Sequence, residues 1–152
     1  HAMTGSRLGW IIGPKEIISK AIDLATNMTY GVPGYIQHAG IFALRKGKEF
    51  EQKISKPFNR RQKLAVDILK DFPKLGHIPP QGAMYIMLDI RSTGMNGISF
   101  AHELLDTEKI AVMPGESFGE AASGHVRISL TLDDEKFKKT FRTVCNFANS
   151  LS

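Results

Sequence analysis

His125-Val126-Arg127-Ile128-Ser129-Leu130 alternates with a period of two residues. Val126, Ile128 and Leu130 fall on one face of a strand, and Arg127 and Ser129 on the other. Just upstream, Val112-Met113-Pro114-Gly115-Glu116-Ser117-Phe118-Gly119 leads a short apolar run, Ile110 to Met113, into a glycine-rich loop. A strand closed by Pro-Gly and followed by a second strand is the reading this pattern supports. Arg127 is then a guanidinium flanked by apolar strand residues, and burying it without an anion is expensive. Two partners satisfy it on spacing alone. One is the carboxylate of a substrate; the other is an internal salt bridge to Asp89, Glu116 or Glu120.

Working outward, Ala83 to Ile90 is apolar and strand-like. Ile98 to Leu105 carries Phe100, Ala101, Leu104 and Leu105 at helical spacing. Thr131-Leu132-Asp133-Asp134 has the spacing of a capping box, which places a helix after it. That helix shows Phe137, Phe141, Val144 and Ala148 on one stripe. Phe72-Pro73 and Ile78-Pro79-Pro80-Gln81-Gly82 interrupt any helix, so a boundary is expected near Pro73.

The first half reads differently. Arg7 to Ile12 is a short apolar run stopped by Gly13-Pro14, the pattern of a buried strand. Pro14 suits the first turn of a helix, with Glu16 near its positive end and Ile17, Ile18, Ala21, Ile22 and Ala25 as its apolar stripe. Met28 to Gly34 reads as a loop. A second helix follows, with Ile36, Ala39, Gly40 and Ala43 on one side; such small residues imply a close approach by another element. Lys48 to Phe72 sets Phe50, Ile54, Phe58, Ala65, Ile68 and Phe72 among charges, a long amphipathic helix with a kink expected at Pro57.

Composition narrows the function classes. The 152 residues are 42% hydrophobic and 23% charged, the balance of a packed globular chain. The net charge of +5 comes from basic residues scattered beside acids, which argues against a nucleic-acid surface. No stretch is long and apolar enough for a membrane span, and the start lacks the pattern of a signal peptide. A single cysteine, Cys145, can form neither an internal disulfide nor a zinc cage, and a reducing, cytoplasmic setting is the expectation.

Among chemistry-bearing patterns, Thr4-Gly5-Ser6-Arg7-Leu8-Gly9 sets an arginine between two glycines. Glycine lets a ligand approach the backbone, and a guanidinium grips phosphate with paired hydrogen bonds; the plainer reading is a surface arginine in a turn. His38, His77, His102 and His125 have no metal-ligand spacing, so no metal is expected. Gly115-Glu116-Ser117-Phe118-Gly119 has the spacing of a nucleophile elbow without its strand and helix, and that reading is rejected. Cys145 reads as core.

In combination these segments resemble a known family. The opening His1-Ala2-Met3-Thr4-Gly5-Ser6-Arg7-Leu8-Gly9-Trp10 resembles the tail of the lysine signature of class I/II aminotransferases, pyridoxal-phosphate enzymes of the aspartate aminotransferase superfamily (fold type I). Val32 to Gly40 resembles the loop and helix that follow, and Phe58-Asn59-Arg60-Arg61 the Tyr-x-x-Arg-Arg stretch of the long connecting helix. Pro80-Gln81-Gly82-Ala83-Met84-Tyr85 resembles the Pro-x-Gly-Ala-Phe-Tyr strand. Pro114 to Gly119 and His125 to Leu130 resemble the Pro-Gly-x-x-Phe-Gly and Val-Arg-Ile-Ser pair. The likeness covers essentially the whole chain, in order.

That resemblance implies an α/β fold: the end of the large cofactor domain's sheet with its helices over residues 1–46, a connecting helix over 47–72, and a small α+β C-terminal domain over 73–152. It implies pyridoxal 5'-phosphate as cofactor, Arg7 on the cofactor phosphate, and Arg127 on the α-carboxylate of the substrate. It implies amino-acid and 2-oxo-acid substrates, a cytoplasmic homodimer, and no role for nucleic acid or membrane. The family's Schiff-base lysine would lie upstream of His1, so no catalytic residue is expected within this chain, and the chain alone is expected to be inactive. The runner-up functions are a lyase or decarboxylase of the same fold, or a non-catalytic folding or interaction piece.

Overall fold

The computed structural model describes all 152 residues, in an α/β arrangement of helices with one small antiparallel sheet. By compactness the chain forms two units, His1–Ser55 and Lys56–Ser152.

The first unit is helical. After a single 3₁₀ turn at Thr4–Ser6 come α1 (Lys15–Thr29), α2 (Gly34–Arg45) and the start of α3 (Gly47–Leu69). Gly47 adopts φ +68°, a left-handed conformation that lets the chain end α2 and begin α3 within one residue. The strand expected over Arg7 to Ile12 does not form. This segment is irregular, makes no backbone hydrogen bond beyond Arg7, and leaves Ile12 91% exposed. The physical reason is that a strand exists only when a neighbour takes up its backbone groups, and the only sheet lies in the second unit. Pro14 precedes α1 as its N-cap rather than entering its first turn, with its carbonyl accepting from Ile17 and Ile18. The apolar stripe of α1 is present but none of its residues is buried. The small residues of α2 do serve close packing. Gly40 and Ala43 are buried, and a side chain at Gly40 would collide with Leu8.

In the second unit, β1 (Gly76–Ile78), β2 (Tyr85–Asp89), β3 (Met113–Pro114) and β4 (His125–Ser129) form one sheet in the order β1-β2-β4-β3, every pair antiparallel. The helices are α4 (Gly97–Glu108) and α5 (Asp134–Ser150). Ile86 and Leu88 from β2 and Val126 and Ile128 from β4 turn to the core, as alternation requires. They meet Phe100 and Leu104 of α4, and Phe137, Phe141 and Val144 of α5. Ala65, Ile68 and Leu69 of α3, with Phe72 just beyond it, complete the same cluster. Cys145 is core as well, and burial pushes its thiol up to about 12.

Several boundaries move. The helix expected over Lys48 to Phe72 runs unbroken through Pro57 but stops at Leu69. The strand expected over Ile110 to Met113 shrinks to Met113–Pro114, because only these residues reach β4. α5 is capped by Asp133, whose Oδ1 accepts the Lys136 N–H at 3.0 Å; Thr131 instead meets Ser129 through its hydroxyl. β1 has no counterpart in the sequence reading.

Candidate anion-binding site

β4 is an interior strand, and Arg127 stands at its middle, opposite Met87 of β2 and Met113 of β3. Because Val126 and Ile128 point into the core, the Arg127 side chain leaves the sheet on the other face and is half-buried there. Tyr85 pairs with Ser129, which places it diagonally across from Arg127 on that same face. The guanidinium carbon of Arg127 lies 4.1 Å from the centre of the Tyr85 ring and 4.3 Å from that of Phe118. Two aromatic rings thus lie against it, each attracting the cation through its negative face.

The internal salt bridge is overturned by this geometry. Asp89 is occupied by Arg91, with contacts of 2.5 and 2.9 Å, and this pairing holds the Asp89 carboxyl below the usual carboxylate range. Oε1 of Glu116 is occupied by backbone and hydroxyl donors, and its Oε2 is buried without pairing with Arg127. Arg127 forms no ion pair with Glu120 or any other acid of the chain, and its guanidinium donates no hydrogen bond within it.

Phe118 reaches Arg127 because its loop is pinned. Gly115–Phe118 is a 3₁₀ turn, and Gly119 leaves it with φ +113°. Gly115 is buried, and a Cβ there would collide with the Ala122 carbonyl and come within 2.8 Å of the His125 carbonyl. Glu116 Oε1 accepts the N–H groups of Gly97 at 3.0 Å and Gly124 at 3.2 Å, and the Ser123 hydroxyl at 3.2 Å. These donors, Gly97 foremost, hold the Glu116 carboxyl below its ordinary range. Glu116 therefore ties the loop to the positive end of α4 and presents Phe118 over the guanidinium.

Arg7 lies in the first unit. Its backbone is left-handed, φ 53°, uncommon for a residue other than glycine. Its guanidinium is exposed and its one hydrogen bond is from Nη1 to the Thr4 carbonyl at 3.2 Å. Apart from the adjoining residues, no atom lies within 4 Å of where a side chain would start at Gly5 or Gly9. An exposed guanidinium beside two open glycines has the donors and the space that a phosphate group needs.

The sequence pointed to both arginines but missed both rings. Tyr85 carried a usable signal: once β2 and β4 are paired in register, its parity puts it beside Arg127. Phe118 sits in an irregular loop, for which no periodicity exists. No helix is long and apolar enough to cross a membrane.

Comparison with known proteins converges on one group. Residues 1–144 match the family described as aminotransferase class I and II. The arginine–pyruvate transaminase of Pseudomonas aeruginosa is 38% identical over 99% of this chain. The chain spans 38% of the length of that relative. An aromatic aminotransferase from Pyrococcus horikoshii superposes with a TM-score of 0.81 at 32% identity, over 95% of this chain and 39% of that one. Aspartate aminotransferase from Thermus thermophilus, solved with maleate, superposes at 0.79 with 28% identity, over 99% of this chain and 38% of that one.

Proposed function

Because this chain belongs to the class I and II aminotransferase family, whose members use pyridoxal phosphate, we propose that it is the C-terminal part of an enzyme moving an amino group between an amino acid and a 2-oxo acid. In this reading residues 1–46 belong to the large cofactor domain, 47–72 to the connecting helix and 73–152 to the small domain. The lysine that carries the cofactor lies in a part of the protein before His1. The complete protein is a cytoplasmic homodimer; the exposed Ile12, Tyr30 and Phe42 of the first unit are the kind of surface that further chain or a partner covers.

Bound pyridoxal phosphate supplies the electron sink that makes the α-bonds of an amino acid labile. The role of this chain is to hold anions. Arg7 binds the cofactor phosphate with the open backbone around Gly5 and Gly9. Arg127 binds the α-carboxylate through its two parallel N–H groups, fixing the substrate so that the α-carbon meets the reactive centre in one orientation. The relatives named above act on arginine, aromatic amino acids and aspartate by their names, and such substrates share only the amino group and the α-carboxylate. A dicarboxylate on the Thermus enzyme is consistent with carboxylate recognition as the common element.

The observation that carries the proposal is a half-buried arginine at mid-sheet, with two rings against its guanidinium and no acid of its own chain paired with it. The test is Arg127→Lys in the full-length enzyme. Lysine keeps the charge and loses the planar fork. The expected loss of transition-state stabilisation is about 2–4 kcal/mol, read from kcat/KM. An unchanged kcat/KM removes the assignment.

A further inference from the structure

We infer that Phe118 and Tyr85 are positioning residues for carboxylate recognition: they fix the plane of the Arg127 guanidinium, so that only its N–H edge is offered to a ligand. The inference rests on the carboxylate role proposed for Arg127.

A free arginine side chain samples many rotamers, and ordering it on binding costs entropy that weakens a small ligand. Here the ring centres at 4.1 and 4.3 Å lie on the guanidinium, one from the neighbouring strand and one from the loop. Neither ring consumes a donor, because a ring attracts the cation without accepting its N–H groups in the plane. An acid in the same place would hold the side chain equally well and would compete with the substrate. Two aromatic rings give order without that competition, and leave the N–H groups of the guanidinium free for a carboxylate.

The two rings are not equivalent. Tyr85 is fixed by the β2–β4 register, whereas Phe118 depends on the turn that Glu116 anchors. Phe118 is 49% exposed and can be replaced without opening the core. It is the side of the bracket that mutation can remove cleanly.

The experiment uses the full-length enzyme and reads KM for the amino donor, kcat, and competitive inhibition by propanoate, a carboxylate with no amino group. Phe118→Ala is expected to raise KM and the propanoate Ki together by about two- to five-fold, the span of one exposed cation–π contact, with kcat within about two-fold. Phe118→Tyr restores both constants; Phe118→Leu, which fills the space without a π face, stays with the alanine variant. Alanine constants within two-fold of wild type, or leucine binding as well as phenylalanine, overturn the inference. Arg127→Lys separates the two layers. If it leaves Ki unchanged, the carboxylate role itself fails; if it raises Ki while Phe118→Ala does not, only the bracket fails. Independently, nitrogen-15 relaxation on the full-length enzyme should show an ordered Arg127 Nε–H, mobile in Phe118→Ala and ordered again in Phe118→Tyr. A mobile Nε–H in the unmodified enzyme also overturns it.

Discussion

Glu116 and Gly97 are interlocked: Oε1 of the glutamate accepts the glycine N–H at 3.0 Å, and Oε2 lies where any Cβ at position 97 would have to sit. The hydrogen bond needs the same closeness that excludes a side chain. Gly97→Ala would also bring its methyl within 2.7 Å of the His125 carbonyl, a backbone atom that cannot swing aside. We expect it to destabilise the second unit by about 1–3 kcal/mol, the usual cost of overpacking. Urea unfolding followed by circular dichroism measures this, and a midpoint equal to wild type would show that the loop gives way freely.

The same carboxylate shapes the acid limb of stability. Its folded value is depressed, first by the Gly97 N–H. A depressed acid stabilises the fold above its unfolded value, about 4.3, and that stability is lost as pH falls through the lower folded value. Asp89, Asp133 and Asp134 are depressed as well and share the limb. Glu116→Gln should therefore be less stable at neutral pH and lose stability less steeply between about pH 5 and pH 3. Parallel pH profiles for the two proteins would count against the role given to Glu116.

Arg60 and Arg61 both reach Asp134, yet they should differ in value. Arg61 is largely covered and bridges Asp134 at 2.8 Å and the Leu130 carbonyl at 2.8 Å. Arg60 is exposed and contacts Asp134 alone. Removing Arg61 leaves a carbonyl and a carboxylate short of donors, so Arg61→Ala should cost about 1–3 kcal/mol. Arg60→Ala should cost distinctly less, as exposed pairs do. Denaturation of the two variants side by side decides it, and equal losses would show that the bracket on α5 is shared evenly.

Hydrogen exchange should separate the two units. Amides of Leu8 to Ile12 make no backbone hydrogen bond and should exchange near the intrinsic rate in this chain. Amides of Val126 and Ile128 lie mid-ladder over the core and should exchange only on global unfolding. Strong protection of Leu8 to Ile12 in a verified monomer would mean that the first unit holds itself together.

These outcomes trace what a sequence can carry. β4 was legible because strict alternation states both the strand and its buried face. Arg7 to Ile12 misled because an apolar run says that a segment wants cover and is silent on what covers it. Thr131 and Asp133 both offered a capping oxygen, and only local backbone geometry chose Asp133. β1, pressed between Pro73 and the Pro79-Pro80 pair, is too short to show periodicity, and its partner β2 supplies the reason it is extended. The two arginines stood out by charge in an unusual place. Tyr85 and Phe118 did not, since aromatic residues are ordinary core material until register and loop geometry set them against a cation.

The core of the second unit has a genealogical consequence. One of its walls, Ala65, Ile68, Leu69 and Phe72, belongs to the end of α3 and the turn after it, while the strands and the other helices come later in the chain. A crossover between related genes at the prolines near residue 73 would look harmless in sequence but would join a foreign wall to the rest of the room. A crossover before Lys56 would carry all four walls together. Lineages that exchange this module should therefore break within α3, and where they break later, Ala65, Ile68, Leu69 and Phe72 should travel as a matched set with Phe100, Phe137 and Phe141.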